Sequence, residues 1–329
     1  MMSRFSVWGN SLLQKLLSSK NVSTVPSFVS LPRDTLIEEE TLPYYKPEQY
    51  YAVNIGDVYN ARYQIAGKLG YGAYSTNWLC QDLQVLKVST MIPEFPTATE
   101  RELKIYEHLS QVDSIHPDLK TDNLMLTLED DTMLADFAKA EAKDPSPQKQ
   151  VDRSRTIYRS RRFLRPLKGN SYGLPILCDF GEARIGKTQE SGPFVQPHIY
   201  RAPEIIFEMP WGSAVDIWNV ACLVTKTIAA LFPWSCIRRL RLTRMAALIG
   251  PPPSDFVNRS ETTDQCFDSN GAWIAHKDTA IPSISLESIE KRLSGQEKES
   301  FIQFLKSMLK WLPEERKTAA QLLEDPWLL

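Results

Sequence analysis

The sequence predicts an α+β chain in two lobes, a small strand-rich one followed by a larger helical one. Two observations carry this expectation. Short alternating runs punctuated by glycine cluster between residues 63 and 88, and from about residue 204 onward apolar residues recur at helical spacing. Strands first and helices later suggest segregated α+β packing.

The elements follow in chain order. Residues 1–33 carry Arg4, Lys15, Lys20 and Arg33, with no acidic residue before Asp34. Such a stretch suits either a mitochondrial transit peptide or a disordered arm with a short amphipathic helix at 11–17. Residues 34–58 are polar and tyrosine-rich, with Pro43 and Pro47, and read as an extended lead-in. A flexible extension is therefore expected over 1–50, a strand-rich lobe over 51–112 and a helical lobe over 113–329. Tyr63–Gly70, Ser75–Leu79 and Gln84–Val88 are strand candidates. In Thr99–Ser110, Leu103, Tyr106 and Leu109 recur at three-residue steps and predict a helix. Residues 134–172 are charged and poor in large apolar side chains, and are expected to form an exposed polar insert. Within it, 149–168 holds eight basic residues against the single acid Asp152. Leu174–Cys178 reads as a strand. Phe301, Phe304, Leu305, Met308, Leu309 and Leu312 mark one face of a helix, and a last helix starts at Thr318 and stops at Pro326. No internal repeat is present.

Composition narrows the functional classes. The 329 residues are 43% hydrophobic and 24% charged, ordinary for a globular protein with a sizeable core. A net charge of −2 argues against a dedicated nucleic-acid binder. No apolar run reaches the roughly 18–20 residues of a spanning helix, since Val220–Phe232 is interrupted by Lys226. Cys80, Cys178, Cys222, Cys236 and Cys266 are odd in number and never spaced as CxxC, and the four histidines are unclustered. Neither a disulfide framework nor a zinc site is expected; buried free thiols in a reducing compartment are.

Several motifs carry chemistry. Gly70-Tyr71-Gly72-Ala73-Tyr74-Ser75 lies between two strands, where glycines let backbone amides approach a phosphate; alone, it is also an ordinary hairpin turn. Lys87 sits in the apolar run Val85–Val88, fifteen residues after Gly72. It either meets an anion or points to solvent from an edge strand. Glu102 could supply that anion, although Thr99-x-x-Glu102 also reads as a capping box; with Thr97 as the cap, Glu102 is free to face Lys87. In His116-Pro117-Asp118-Leu119-Lys120-Thr121-Asp122-Asn123, the aspartate can take a hydroxyl proton, the lysine can offset phosphate charge and the asparagine can bind a metal. Asp179-Phe180-Gly181 closes a strand, where a carboxylate can hold Mg²⁺. Asp136-Phe137-Ala138 lacks the glycine and is discounted. Ala202-Pro203-Glu204, Asp216-Ile217-Trp218 and Arg316 complete the order.

That ordered set resembles the signature of eukaryotic-type serine/threonine protein kinases. Together with Cys178-Asp179-Phe180-Gly181-Glu182-Ala183, Tyr200-Arg201-Ala202-Pro203-Glu204 and the long insert, the chain is similar to the SR-protein kinase family over about residues 50–329. The resemblance implies a two-lobed kinase fold with an incomplete N-lobe, and ATP and Mg²⁺ as cofactors. It implies that Gly70, Gly72 and Ser75 form the phosphate-covering turn and that Lys87, paired with Glu102, contacts the nucleotide. Asp118 would be the base and Lys120 the γ-phosphate partner, with Asn123 and Asp179 as metal ligands. Glu204 and Arg316 would anchor the activation segment, and Asp216 would brace the catalytic loop. The implied partner is a protein substrate, Arg/Ser-rich and of splicing type; no nucleic acid or membrane contact is expected, the chain would be a monomer, and the location would be cytoplasm or nucleus. Arg153-Ser154-Arg155 and Arg159-Ser160-Arg161 resemble the dipeptides such kinases modify, and equally fit a solvated loop.

The departures from the family pattern are specific. Only 15 residues separate Glu102 from Asp118, where the family has further strands, the hinge and buried helices. Apolar surface left uncovered by such a loss costs about 25 cal/mol per Å². Asn77 replaces a valine, Pro117 cannot donate a backbone hydrogen bond, and Val224–Met245 does not resemble the expected segment. A catalytically inactive scaffold is therefore the alternative to an active kinase. A small-molecule phosphotransferase is disfavoured by the Ala-Pro-Glu segment and Arg316.

Overall fold

The computed structural model describes residues 28–81, 84–90, 98–109, 123–127, 132–162, 173–190, 195–224, 238–275 and 279–329. The expected arm at 1–27, the catalytic-loop residues Asp118 and Lys120, the cap residue Thr97 and Cys236 lie outside the described residues. Two compact units are formed, one from the described parts of 1–91 and 130–168, the other from those of 92–129 and 169–329.

The first unit is built on an antiparallel sheet in the order β1 (Val58–Tyr59), β2 (Tyr63–Gly72), β3 (Ser75–Cys80) and β4 (Val85–Ser89). β2, β3 and β4 are the predicted strands, their ends displaced by two residues or fewer; β1 is not among the predicted strands. Ile65, Trp78 and Cys80 are buried with Val53 and Tyr158, while Leu79 is buried against Leu134 and Phe137. Register shifts fall at Ile65/Gly67 and Lys68/Gly70, where a bulge increases the local twist. Gly67 is required there: a Cβ would lie 2.9 Å from Cε1 of Phe137.

Over its described residues, 134–162, the polar insert is not an exposed loop. It folds as helix α2 (Thr132–Lys143), which follows helix α1 (Ala98–Leu109) in the chain, and as the hairpin β6 (Gln148–Gln150) and β7 (Thr156–Tyr158). Four large apolar residues, Leu134, Phe137, Ile157 and Tyr158, suffice to bury it. Asp136-Phe137-Ala138 is thereby part of α2, with Phe137 in the core. The lead-in is likewise packed from residue 28. Ser30 bridges Gln148, and Ile37, Glu39, Tyr50 and Val53 are buried. Its acidic turn Glu38–Thr41 supplies counter-charges: Glu39 pairs with the fully buried Lys68, and Glu40 accepts from Lys149 at 2.7 Å. The flexible extension expected over 1–50 is corrected for residues 28–50 by this pairing.

The second unit begins with α1. Its predicted apolar face is wrong in detail, because Leu103 and Tyr106 are exposed and Ile105 is the buried residue, packed with Phe180 and Ala183. These contacts place α1 in the second unit, and α2 joins the first through Phe137, so the expected boundary near 112 does not hold. Strands β5 (Leu124–Leu126) and β8 (Pro175–Leu177) form an antiparallel ribbon. The large core then gathers α3 (Pro203–Ile206), α4 (Ala214–Val224), α5 (Arg238–Ile249), α6 (Ser254–Val257), α7 (Leu286–Ile289), α8 (Gly295–Met308) and α9 (Ala319–Leu323). The predicted face Phe301, Phe304, Leu305, Met308, Leu309 and Leu312 is buried throughout. α9 starts behind a capping box between Thr318 and Gln321, as the sequence indicated. Among the described residues no helix is long and apolar enough to cross a membrane, and no group of three or more acidic, His or Cys residues could hold a metal ion.

Cys222 lies in this core, and its burial pushes the thiol up to about 12 from an ordinary value of 9.0. Three units reduce the reactive thiolate about a thousandfold. Alkylation at pH 8 followed by peptide mass spectrometry should leave Cys222 unlabelled in the folded chain and label it fully in urea. Rapid labelling in the native state would contradict this packing.

Candidate active site

The first unit carries the glycine turn and Lys87. Gly72 pairs with Ser75 and Gly70 with Asn77 across the β2–β3 hairpin. Neither Gly70 nor Gly72 has positive φ, and a Cβ at either would meet nothing within 4 Å. Among the described residues nothing demands glycine at these two positions, and the open space leaves room for another group to approach the backbone. Thr90 ties the turn from one side, its amide donating to Tyr74 O at 2.8 Å. The Tyr50 hydroxyl ties it from the other, 2.9 Å from Ala73 O and 3.2 Å from Gly72 O. Lys87 pairs with Asn77 on edge strand β4 and is exposed. Its backbone neighbours Leu86 and Val88 turn inward towards the sheet's core.

The second unit carries Glu102, Asn123, Asp179, Glu204, Asp216 and Arg316. Register Leu124↔Leu177 sets Asn123 and Asp179 at one end of the β5–β8 ribbon. Cys178 closes that end, its amide donating to Asn123 O at 2.9 Å. Asn123 is buried, and its Nδ2 donates to Asp179 O at 3.4 Å. Asp179 is exposed and has φ +61°, a left-handed conformation that aspartate tolerates better than most residues. Strain of this kind persists where the surroundings fix it. Here Phe180 does so, buried against Ile105 and edge-on to Tyr106 at 5.5 Å. Glu102 lies half-buried on α1, whose Ile105 and Tyr106 hold Phe180.

Glu204 and Arg316 are brought together completely. Arg316 Nη1 and Nη2 each donate to a Glu204 carboxylate oxygen at 2.7 Å, and both side chains are essentially inaccessible. Arg316 also reaches Ala214 O at 2.8 Å, the first residue of α4, on whose first turn Asp216 lies. Gln196, which carries no motif signal, does comparable work. Its amide donates to Asn219 Oδ1 at 2.7 Å and Val215 O at 3.0 Å, and accepts from Ala202 N at 3.0 Å. It fastens the segment before Ala-Pro-Glu onto α4. The hydroxyls of Ser154 and Ser160 are both held by carboxylates, Asp152 and Glu38.

Comparison with known proteins decides the family. Residues 167–328 match the protein kinase domain model. A serine/threonine protein kinase of Aspergillus fumigatus is 34% identical over 376 aligned positions, spanning 92% of this chain and 93% of the relative. The chain belongs to the serine/threonine protein kinase family. The kinase SRPK of Physarum polycephalum is 23% identical, with 88% of this chain and 91% of the relative aligned. A crystal structure of a kinase domain superposes with a TM-score of 0.56 at 17% identity, covering 85% of this chain and 99% of that one. The kinase has the fold of its family: a β-rich N-lobe unit and a mainly helical C-lobe unit. The family is one of ATP-dependent protein phosphotransferases using Mg²⁺. The residues present fit that pair: the glycine turn offers open backbone, and Asn123 and Asp179 offer the hard oxygen donors Mg²⁺ prefers. The aligned 376 positions against 92% of 329 residues leave about 70 positions of the Aspergillus kinase without a counterpart here.

Removing one member of a buried ion pair leaves the other uncompensated. Arg316→Met should lower the unfolding free energy by about 3–5 kcal/mol in a urea titration. The double variant Arg316→Met with Glu204→Leu should recover much of that loss.

Proposed function

We propose that this chain is an SR-type serine/threonine kinase that transfers the γ-phosphoryl group of ATP to serine in Arg/Ser-rich proteins of the cytoplasm or nucleus. The observation that carries the reading is Asn123 and Asp179 held side by side at the end of the β5–β8 ribbon, in a chain aligned along nearly its whole length with a serine/threonine kinase. In this reading Asn123 and Asp179 hold Mg²⁺, which when bound offsets the charge on the phosphates. The amides of the 70–75 turn cover those phosphates, with Gly70 and Gly72 leaving room. Lys87, braced by Glu102, contacts the nucleotide. Asp118 takes the proton of the substrate hydroxyl, and Lys120 neutralises the γ-phosphate. Asp216 braces the loop that carries Asp118, while Glu204 and Arg316 hold the segment on which a protein substrate docks. The Physarum relative, whose name is SRPK, supports the Arg/Ser preference.

A second reading, an inactive scaffold, is favoured by one group of observations. Leu103 and Tyr106 of α1, all of β5, and Leu174 and Ile176 are exposed apolar residues. Only 15 residues separate Glu102 from Asp118. The two readings part on nucleotide binding. An active kinase gains stability from a ligand that binds only its folded state, so Mg·ATP at a hundred times its Kd should add about 2.7 kcal/mol. The thermal midpoint should rise, the rise should vanish in Asp179→Ala, and label from ATP should appear on an Arg/Ser peptide. No rise in the unaltered chain would leave the scaffold reading. Sequencing the transcript across codons 108–118 and 222–247 tests whether the short form is the message made.

A further inference from the structure

Among the contacts between the lead-in and the inserted hairpin, the one at Tyr50 also reaches the glycine turn, through the Tyr50 side chain. Tyr50 follows the 3-10 turn Pro47–Gln49 and is buried, its ring tilted against Tyr45 at 5.1 Å. Its carbonyl accepts from Arg155 Nη2 at 2.7 Å. Arg155 closes the hairpin turn of the insert, where Asp152 Oδ1 accepts from the amides of Ser154 at 2.7 Å and Arg155 at 2.9 Å. At the other end of Tyr50, the hydroxyl faces the carbonyls of Gly72 and Ala73.

This geometry has a consequence for the turn. In a trans peptide the carbonyl and the following N–H point in opposite directions. With the carbonyls of Gly72 and Ala73 drawn towards Tyr50, the amides of Ala73 and Tyr74 point away from it. Two successive amides facing one way make a concavity suited to phosphate oxygens. We propose that Tyr50 is a positioning residue for the nucleotide-covering turn, and that the insert acts on that turn through Arg155 and Tyr50. The proposal rests on the reading of residues 70–75 as the phosphate-covering element. The turn at Ala73–Tyr74 follows both glycines and is held by Thr90 on one side; the anchored Tyr50 supplies the second constraint from outside the sheet. The insert thereby becomes part of the nucleotide-binding apparatus, although it lies far from the turn in sequence.

The test uses the full chain with Tyr50→Phe, which keeps the ring and removes only the hydroxyl. Amide hydrogen exchange should quicken about fivefold at Thr90, whose N–H is held by Tyr74 O across the turn, the effect of losing one hydrogen bond that steadies the turn, while Ile65–Leu69 stays unchanged. Arg155→Met should move the Thr90 amide in the same direction, and Tyr45→Phe should not move it. In phosphoryl transfer, Tyr50→Phe should raise KM for ATP about three- to tenfold with kcat within about twofold. Unchanged exchange at Thr90 in Tyr50→Phe overturns the proposal, whether or not the chain turns over. Gly72→Val separates the two ideas. If it leaves KM for ATP unaltered, the reading of the turn fails while the exchange result still judges Tyr50. If it raises KM and Tyr50→Phe does not, the positioning role fails alone.

Discussion

A single guanidinium organises the larger unit. Arg316 has five N–H donors, and all five are used: two on Glu204, two on Lys310 O and one on Ala214 O. A buried ion pair repays its desolvation only with such complete pairing. The pair spans 112 positions of sequence and joins the start of α3, the start of α4 and the turn that precedes α9. The ring of Trp218 lies under the guanidinium at 5.2 Å. Around this point the aromatic core of Phe207, Phe256, Phe267 and Trp311 packs mostly edge-to-face, at centroid separations of 5.4–6.3 Å. The segment from Gln196 to Glu204 is thereby fixed at both ends, by Gln196 on α4 and by Glu204 on Arg316.

The smaller unit solves the same problem with smaller means. Its apolar clusters are short, and much of its cohesion comes from charges brought in from elsewhere in the chain. Lys68 is buried beneath Glu39, Lys149 under Glu40 at 2.7 Å, and Arg161 beside Glu141 at 2.5 Å. Here the local reading of the chain succeeds and fails for clear reasons. The strands were legible because alternation is a local signal, and α8 because its apolar face repeats over several turns. The insert and the lead-in were not. Their few apolar residues give no period, and the charges that read as a solvated loop find partners 109 positions away in the case of Lys149 and Glu40. Asp136-Phe137-Ala138, without a glycine, is ordinary helical sequence within α2.

The candidate site divides along the same line. Motif residues whose role is geometric within one unit, such as Glu204 with Arg316 or Asn123 with Asp179, are recovered as pairs. Tyr50 and Gln196 escaped notice because a tyrosine or glutamine that bonds main-chain atoms needs no sequence companion. Their partners are backbone groups, which every residue type supplies. Such residues become visible only when the backbone they hold is in place.

Two stretches depart from the family pattern, and the physical chemistry departs in the same places. The first is the short interval after α1. Leu103, Tyr106 and all three residues of β5 stand exposed, an arrangement that calls for a covering layer. The second is Val224–Met245, of which α5 is the described part. Its Leu242 and Met245 fit the core. Two of its arginines do not: Nε and Nη2 of Arg238 and Nε of Arg244 are buried without a hydrogen-bond acceptor among the described residues. Each such donor costs about 1–3 kcal/mol. In sequences selected for a fold, propensity, pattern and polar satisfaction agree with one another. They agree through Glu204, Arg316 and the α8 face, and they disagree in α5 and around α1. Both kinds of departure thus coincide in the same two stretches of sequence, while Glu204 and Arg316, which belong to neither, are paired through both carboxylate oxygens.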